Sequence, residues 1–344
     1  MKKTFLACAF AALVAACTTA PKTDYVINGV VSDDTENGTT VLLRDRNSGD
    51  TLAVTEVVDG KFKFEGKADS VICAYVLTDR RHAASVYLEP GSINVDLIKD
   101  MLATGTPFND EIAAMNKELD ALYSDESATS EQYTAILKNY YNRNSQNILA
   151  ADIWQDLVYD LKYDEMVEML ETALPKIKEQ PFNERMLKAK FAEKNAAPGT
   201  QFIDFKAITV DIKNAKNDGK ETSLGAIVAQ GKPVIVDFWA SWCGPCRNEI
   251  KEYLSVFAPE YAGKVNFVGA AVWENSVDDT KKAMGELPIS WPVIFAGTRN
   301  EGPTDDYGIM GIPHIMLIGA DGTIKARDLR GNKIKEAIEA ELNK

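Results

Sequence analysis

Histidine and cysteine are scarce in this chain, which limits the kinds of site it can build. Its 344 residues include two histidines, His82 and His314, and neither lies in a cluster with the spacing of metal ligands. A zinc site or a Ser-His-Asp triad is therefore poorly supported, and we expect no metal and no cofactor. The five cysteines are too few for a fold held together by disulfides.

Positive charge is also in short supply. Lysine and arginine number 38 against 51 aspartates and glutamates, which gives a formal net charge of −13. Nucleic-acid binding needs clustered cations to neutralise phosphates, so we expect no nucleic-acid partner. A hydrophobic content of 45% and a charged content of 26% are typical of a soluble globular protein. The length suggests two or three domains.

The first residues are typical of a targeting segment rather than of a fold. Two lysines precede an apolar run, Phe5–Ala16, which is too short to be a typical membrane-spanning helix. Small residues at the end of this run stand directly before Cys17. This arrangement resembles the lipobox of bacterial lipoproteins, in which the cysteine is lipidated and becomes the first mature residue.

That resemblance implies a signal peptide over residues 1–16, a lipid anchor at Cys17 and a short tether over residues 17–24. The alternative is an ordinary secretory signal cleaved near Ala16 or Ala20. Either signal sends the chain out of the cytoplasm, where a thiol pair meets disulfides. We favour a lipoprotein of the outer membrane, because Thr18 follows the cysteine. We expect it to face the periplasm, because no acidic cluster follows there.

Residues 25–103 have the pattern of short strands. About seven alternating segments lie between turn signals, and Asp59-Gly60 is a strong hairpin signal before the alternating Lys61–Glu65. The spacing predicts a small β-sandwich or β-barrel. Cys73 lies within one of these segments, and we interpret it as a buried apolar residue rather than a redox thiol. We interpret His82 as a turn residue.

Residues 104–195 change to a helical period after Gly105. Apolar side chains recur at helical spacing up to about Lys194, which predicts three or four helices. We interpret these apolar stripes as packing surfaces.

Residues 196–344 alternate between strands and helices. Ala196–Gly199 is typical of a linker, and Pro233–Trp239 is a nearly uninterrupted apolar run of the kind found in a central strand buried on both faces. A hairpin signal at Asp321-Gly322 and an amphipathic segment complete the chain. The order predicts a mixed sheet with helices on both faces.

The Cys243-Gly-Pro-Cys246 motif follows the apolar strand and opens an amphipathic helix. Cys243 would then lie in the first helical turn, where unpaired N–H groups and the helix dipole favour a thiolate. The spacing lets the second thiol close a disulfide with the first. The motif predicts disulfide exchange.

The surrounding residues carry a family resemblance. Val236–Glu249, with the sequence VDFWASWCGPCRNE, and Tyr307–Gly322 make residues 196–344 similar to thioredoxin-fold domains, in particular the TlpA-like disulfide reductases. The resemblance implies an α/β thioredoxin fold and a cis-proline at Pro313 that offers the backbone of Ile312 to a substrate peptide. Residues 25–195 resemble an uncharacterised sheet-plus-helices region found ahead of such domains in Gram-negative lipoproteins, which implies no activity.

Roles for individual residues follow from the resemblance and the local chemistry. Cys243 is the expected nucleophile and Cys246 the resolving thiol. Asp237 lies in an apolar strand, where burial raises a carboxyl pKa, and the family assigns the matching residue as proton acceptor for the second cysteine. The alternative for Asp237 is a purely structural role. The residues expected to contact substrate flank the dithiol and the proline: Trp242, Gly244, Pro245, Ile312 and Pro313.

The chain also departs from the family pattern. The strand over residues 265–272 has no lysine to pair with Asp237. His314 stands where many relatives carry threonine; it would tune the dithiol, contact substrate or simply lie on the adjoining strand. For Glu249 we favour a role on the helix surface, and for Trp239 a place in the core.

The expected activity is reduction of disulfides in substrate proteins, with electrons supplied by a membrane thiol protein. Other interpretations stay open. The pair could act as an oxidant or isomerase, since redox potential depends on context. Ala197-Pro198 is faintly similar to thiol peroxidases. In a non-enzymatic alternative, residues 25–195 are a partner-binding module and the redox domain is accessory.

Overall fold

The structure is a computed structural model that describes residues 24–32, 35–78, 83–99, 101–125, 127–299 and 302–344. The predicted signal peptide, Cys17 and His82 lie outside these ranges. Internal contacts divide the chain into two compact units, with the division between Leu157 and Val158. In the described ranges, no helix is both long and apolar enough to cross a membrane.

The N-terminal unit contains a β-sandwich of two four-stranded sheets, with strand orders β4-β1-β7-β8 and β3-β2-β5-β6. The strands are β1 Asp24–Val30, β2 Thr40–Asp45, β3 Thr51–Glu56, β4 Lys61–Lys67, β5 Ile72–Leu77, β6 Ala83–Leu88, β7 Gly91–Asp96 and β8 Ala103–Thr104. This confirms the predicted β-rich region.

Alternation along the strands builds the core of this sandwich. Phe62 and Phe64 are buried while Lys61 and Lys63 face solvent, because successive side chains of a strand point to opposite faces. The turn before β4 has positive φ at Asp59 and Gly60, as a tight hairpin turn requires.

Helices follow the sandwich: α1 Pro107–Tyr123, α2 Ser130–Asn144, α3 Leu149–Asp160, α4 Tyr163–Thr172, α5 Pro175–Lys178 and α6 Phe182–Asn195. There are six in the described residues, against the three or four expected. The periodicity missed α5, a single turn of four residues, and the much longer α6, whose buried side chains are Asn183, Met186 and Lys190. Two of these are polar, so no apolar stripe marks the helix.

The C-terminal unit is built on a seven-stranded sheet of order β10-β9-β13-β12-β11-β14-β15. Its strands are β9 Lys206–Val210, β10 Glu221–Ser223, β11 Val234–Trp239, β12 Asn266–Ala271, β13 Val293–Phe295, β14 His314–Ile318 and β15 Ile324–Leu329. Its further helices are α7 Leu224–Val228, α8 Gly244–Glu249, α9 Ser255–Glu260, α10 Val277–Glu286 and α11 Asn332–Leu342.

Strand β11 is central in this sheet. It pairs parallel with β12 and antiparallel with β14, and every one of its residues is buried. After Cys243 the chain stays helical through α8, a π-helical turn at Ile250–Leu254, and α9, which ends one residue beyond Pro259. The predicted thioredoxin fold is confirmed.

Helix α6 packs closely on the rest of the C-terminal unit. A Cβ at Gly308 would lie 2.3 Å from the carbonyl oxygen of Ala189, so only glycine allows this approach. Arg327 of β15 donates to the carbonyls of Glu193 at 3.3 Å and Ala196 at 3.0 Å. These contacts explain why the division of the chain falls before α4 rather than at residue 196, the predicted domain boundary.

Candidate active site

The two cysteines of the motif lie where β11 gives way to α8. Cys243 is the residue that caps α8, and a disulfide joins it to Cys246 with 5.3 Å between the Cα atoms. The backbone N–H of Cys246 donates to the Cys243 sulfur at 3.1 Å. In the reduced protein this donor and the start of the helix would stabilise a Cys243 thiolate. Cys246 is fully buried, whereas Cys243 keeps 4% exposure.

The loop before β14 lies against the disulfide. The Ile312–Pro313 peptide bond is cis, and the Cys243 sulfur is 3.7 Å from the carbonyl oxygen of Ile312. Met310 and Gly311, just before, are exposed. A polypeptide lying along this loop would therefore have backbone partners directly beside the sulfur.

Asp237 is a buried acid behind the dithiol. It lies on the same face of β11 as Ile235 and Trp239, which belong to the core cluster that contains Cys246. Neither of its carboxyl oxygens has a hydrogen-bond partner within the described part of the chain. Burial raises the pKa of Asp237 to about 8, the negative charge of Glu249 adds to the rise, and Arg330 opposes it. Such a carboxyl can accept a proton near neutral pH.

Two charged groups therefore act on Asp237. We expected Glu249 to have a role on the helix surface. It is instead half-buried, and its carboxylate accepts a hydrogen bond from the Gly331 N–H at 2.5 Å. Arg330 was not singled out from the sequence. Its guanidinium donates to the carbonyl of Pro313, so it ties the end of β15 to the cis-proline loop. Arg330 supplies a positive charge near Asp237. Strand β12 has no lysine that could supply one.

Glu274 is a further residue that sequence reasoning missed. It is 1% exposed and accepts hydrogen bonds from the backbone N–H and the hydroxyl of Ser241, the residue before Trp242. Burial raises the pKa of Glu274, and the bonds from Ser241 partly offset the rise. The sequence does contain one signal for Glu274: it is an acidic residue three positions after the buried strand β12.

Trp242 lies beside the dithiol with 48% exposure. Its indole Nε1 donates to the carbonyl of Trp273 at 3.0 Å, and the Arg299 guanidinium lies 5.2 Å from its ring centroid. Trp239, by contrast, is fully buried in the core. Gly244 and Pro245 form the exposed first turn of α8. The predicted substrate-contacting residues thus surround one disulfide.

His314 lies on β14 and not among these groups. It is 7% exposed and pairs across the sheet with Phe238, whose ring is 6.3 Å away. Burial lowers the pKa of His314 to about 4, so it is neutral at pH 7. Of the three alternatives for this residue, the place on the adjoining strand is the one observed.

Cys73 belongs to the N-terminal sandwich and is 3% exposed. Burial raises the pKa of its thiol, and Arg46 donates to the sulfur at 3.6 Å. A thiol of this kind is a poor nucleophile. Within the described ranges, no group of three or more His, Cys, Asp or Glu side chains could hold a metal ion.

Comparison with known proteins gives two family matches. The Redoxin family profile matches residues 193–342, and the profile of a domain of unknown function (DUF4369) matches residues 25–112. A thioredoxin of Alicyclobacillus acidocaldarius is 35% identical over 111 residues, which cover 32% of this chain and 79% of that protein.

Two other proteins are also similar. The thiol-disulfide oxidoreductase ResA of Bacillus thuringiensis is 28% identical over 129 residues, 37% of this chain and 70% of its own length. The crystal structure of the thioredoxin domain of a thiol-disulfide oxidoreductase from Bacteroides vulgatus is 28% identical, with a TM-score of 0.35, covering 42% of this chain and 96% of that one.

Proposed function

This chain belongs to the thioredoxin family and is a thiol-disulfide oxidoreductase, and we propose that it reduces disulfides of other proteins outside the cytoplasm through Cys243 and Cys246. The observation that carries the proposal is the disulfide at the start of α8, with a donor on the Cys243 sulfur and a carboxyl of raised pKa behind the pair.

The reaction has two exchange steps. The Cys243 thiolate attacks one sulfur of the substrate disulfide; that S–S bond breaks, and the other substrate sulfur leaves as a thiolate. Cys246 gives its proton to Asp237 and attacks the Cys243 sulfur of the mixed disulfide. The substrate then leaves fully reduced, and the protein ends as the Cys243–Cys246 disulfide. Two electrons have passed from the protein to the substrate.

The neighbouring residues bind and orient the substrate in this scheme. The backbone around Ile312 and Pro313 holds the substrate strand next to the Cys243 sulfur, and Trp242, Gly244 and Pro245 form the opposite edge. The oxidised pair is reduced in turn by a thiol protein of the membrane. Its two electrons restore both thiols, so the cycle needs no bound cofactor.

The direction of exchange is tested by the redox potential of the pair. The purified chain is equilibrated with glutathione buffers, and the fraction of oxidised Cys243–Cys246 is measured by alkylation and mass. A reductase should lie near thioredoxin, at about −270 mV. A value near about −120 mV, that of a strong oxidant, would overturn the proposed direction and favour the oxidant alternative.

We further propose that Cys17 carries a lipid that anchors the protein to the outer membrane, facing the periplasm. The lipobox-like sequence before Cys17 supports this. In cells fed a labelled fatty acid, the wild-type chain should take up label and sediment with membranes, whereas Cys17→Ser should do neither. Cys8→Ser, within the apolar run, is the matched control. Label on Cys17→Ser would contradict the assignment.

A further inference from the structure

A small cavity lies between helix α6 and the loop that leads to the cis-proline. Its volume is about 280 Å³. The residues that matter here come from α6 on one side and the catalytic loops on the other: Arg185, Lys188, Ala189, Trp273, Thr304 and Met310. Known small-molecule sites are mostly larger, so this space suits one or two side chains of a polypeptide better than a cofactor. We call it the α6 pocket.

Two chains of contacts connect the α6 pocket to the dithiol. Along the first, Trp242 donates to the Trp273 carbonyl, and the indole of Trp273 donates to Thr304 at 3.0 Å, which fixes the ring in the pocket wall. Along the second, Met310 lies two residues before Ile312, whose carbonyl touches the Cys243 sulfur. Residues of the pocket wall are therefore linked to residues of the proposed substrate surface.

The spacing suits a bound strand. A polypeptide extended along residues 310–312 advances roughly 3.3 Å per residue. A substrate side chain two positions from the reacting cysteine would then lie beside Met310, at the edge of the α6 pocket. Met310 is 41% exposed, so a substrate side chain can reach it from solvent.

The rim of the pocket carries positive charge. Lys188 pairs with Asp305 at 3.5 Å, which leaves that pair neutral. Arg185 is exposed and makes no ion pair with any residue that the structure describes. Outside the pocket itself, the Arg299 guanidinium lies 5.2 Å from the centroid of the Trp242 ring. These cations stand out in a chain with a formal net charge of −13.

We propose that the α6 pocket is a specificity subsite that takes an acidic side chain of the substrate polypeptide, placed about two residues from the cysteine under attack. Arg185 pairs with the acid, and Trp273 and Met310 contact its aliphatic part. The inference depends on the proposed reductase function and adds a substrate class to it. A helix outside the predicted thioredoxin-like domain thereby selects the substrate.

The test uses two synthetic peptides that differ only in the residues two positions before and after a single cysteine, glutamate in one and lysine in the other. Each cysteine carries thionitrobenzoate in a mixed disulfide. The Cys243 thiolate attacks the peptide sulfur and releases coloured thionitrobenzoate; Cys246 then releases the peptide as its thiol. The release rate is measured with the reduced full-length protein, with Arg185→Glu and with Lys176→Glu, a matched charge change outside the pocket.

The wild-type protein should react roughly two- to fivefold faster with the glutamate peptide, the size expected for one partly exposed ion pair, and about 0.5 M salt should shrink the ratio. Arg185→Glu should abolish or reverse the preference, and Lys176→Glu should keep it. Equal wild-type rates, or equal effects of the two variants, would overturn the subsite alone. Release from neither peptide would overturn the reductase function, and the subsite with it.

Discussion

Glu274 accepts two hydrogen bonds from Ser241, one from the backbone N–H at 2.6 Å and one from the hydroxyl at 2.7 Å. Ser241 directly precedes Trp242 and the dithiol, so this buried carboxylate holds the active-site turn against the end of β12. A buried backbone N–H needs a hydrogen-bond partner, so the Ser241 N–H depends on the Glu274 carboxylate.

Removal of this acceptor should loosen the turn. Glu274→Ala leaves the Ser241 N–H and hydroxyl without their partner, which costs roughly 1–3 kcal/mol of folding free energy. We expect a lower midpoint of thermal unfolding and a shifted potential of the Cys243–Cys246 pair. Glu252→Ala, which removes an exposed glutamate in the π-helical turn, is the control and should change neither. An unchanged potential in Glu274→Ala would show that the contact is only structural.

The buried carboxyl of Asp237 should make stability depend on pH. Its folded pKa, about 8, lies above the ordinary value of 3.8, so the folded state holds a proton that the unfolded state releases. The stability that this protonation provides is complete below the ordinary pKa and is lost as the pH rises to the folded pKa. Asp237→Asn cannot ionise and should escape this loss.

The comparison is therefore made at two pH values. Unfolding of oxidised wild type and Asp237→Asn is followed at about pH 5 and about pH 9, and the variant should gain stability over wild type by roughly 4 kcal/mol between them, because about three pH units separate pH 5 from the folded pKa. His314→Asn is the control. The native His314 is buried and, with a pKa of about 4, is neutral at both pH values, so this variant should show no change of relative stability with pH. A difference between Asp237→Asn and wild type that is constant with pH would contradict the raised pKa.

Glu249 and Arg330 should move the pKa of Asp237 in opposite directions. Glu249→Gln removes a negative charge and lowers it; Arg330→Gln removes a positive charge and raises it. The rate at which Cys246 resolves a preformed mixed disulfide on Cys243 reports the titration. Its pH midpoint should fall in the first variant and rise in the second. Shifts of the same sign would exclude charge as the cause.

Local patterns explain what the sequence alone could predict. The continuous apolar run of β11, the strand-motif-helix order around Cys243 and the Asp-Gly turn before β4 each depend on neighbouring residues, and each is present in the structure. Contacts between distant residues were not accessible in this way. Glu274 meets Ser241 across 33 positions, and Arg330 reaches Pro313 across 17.

Helix α6 shows the same limit at the level of a whole element. Its buried Asn183 and Lys190 contact backbone carbonyls, of Ile177 at 2.6 Å and of Tyr159 at 2.5 Å, instead of an apolar core. A search for apolar periodicity passes over such a helix. The predicted boundary at residue 196 separates it from β15, whose Arg327 donates to the Glu193 carbonyl.

That boundary leads to a test by truncation. A fragment over residues 158–344 keeps α6, whereas a fragment over residues 196–344 leaves the Arg327 guanidinium without the Glu193 carbonyl. The shorter fragment should unfold roughly 5 °C lower or more. Gly308→Ala sharpens the comparison: its Cβ would meet the Ala189 carbonyl in the longer fragment only, so the change should destabilise that fragment more. Equal losses in both fragments would mean that α6 leaves the sheet in solution, and the boundary at residue 196 would then hold.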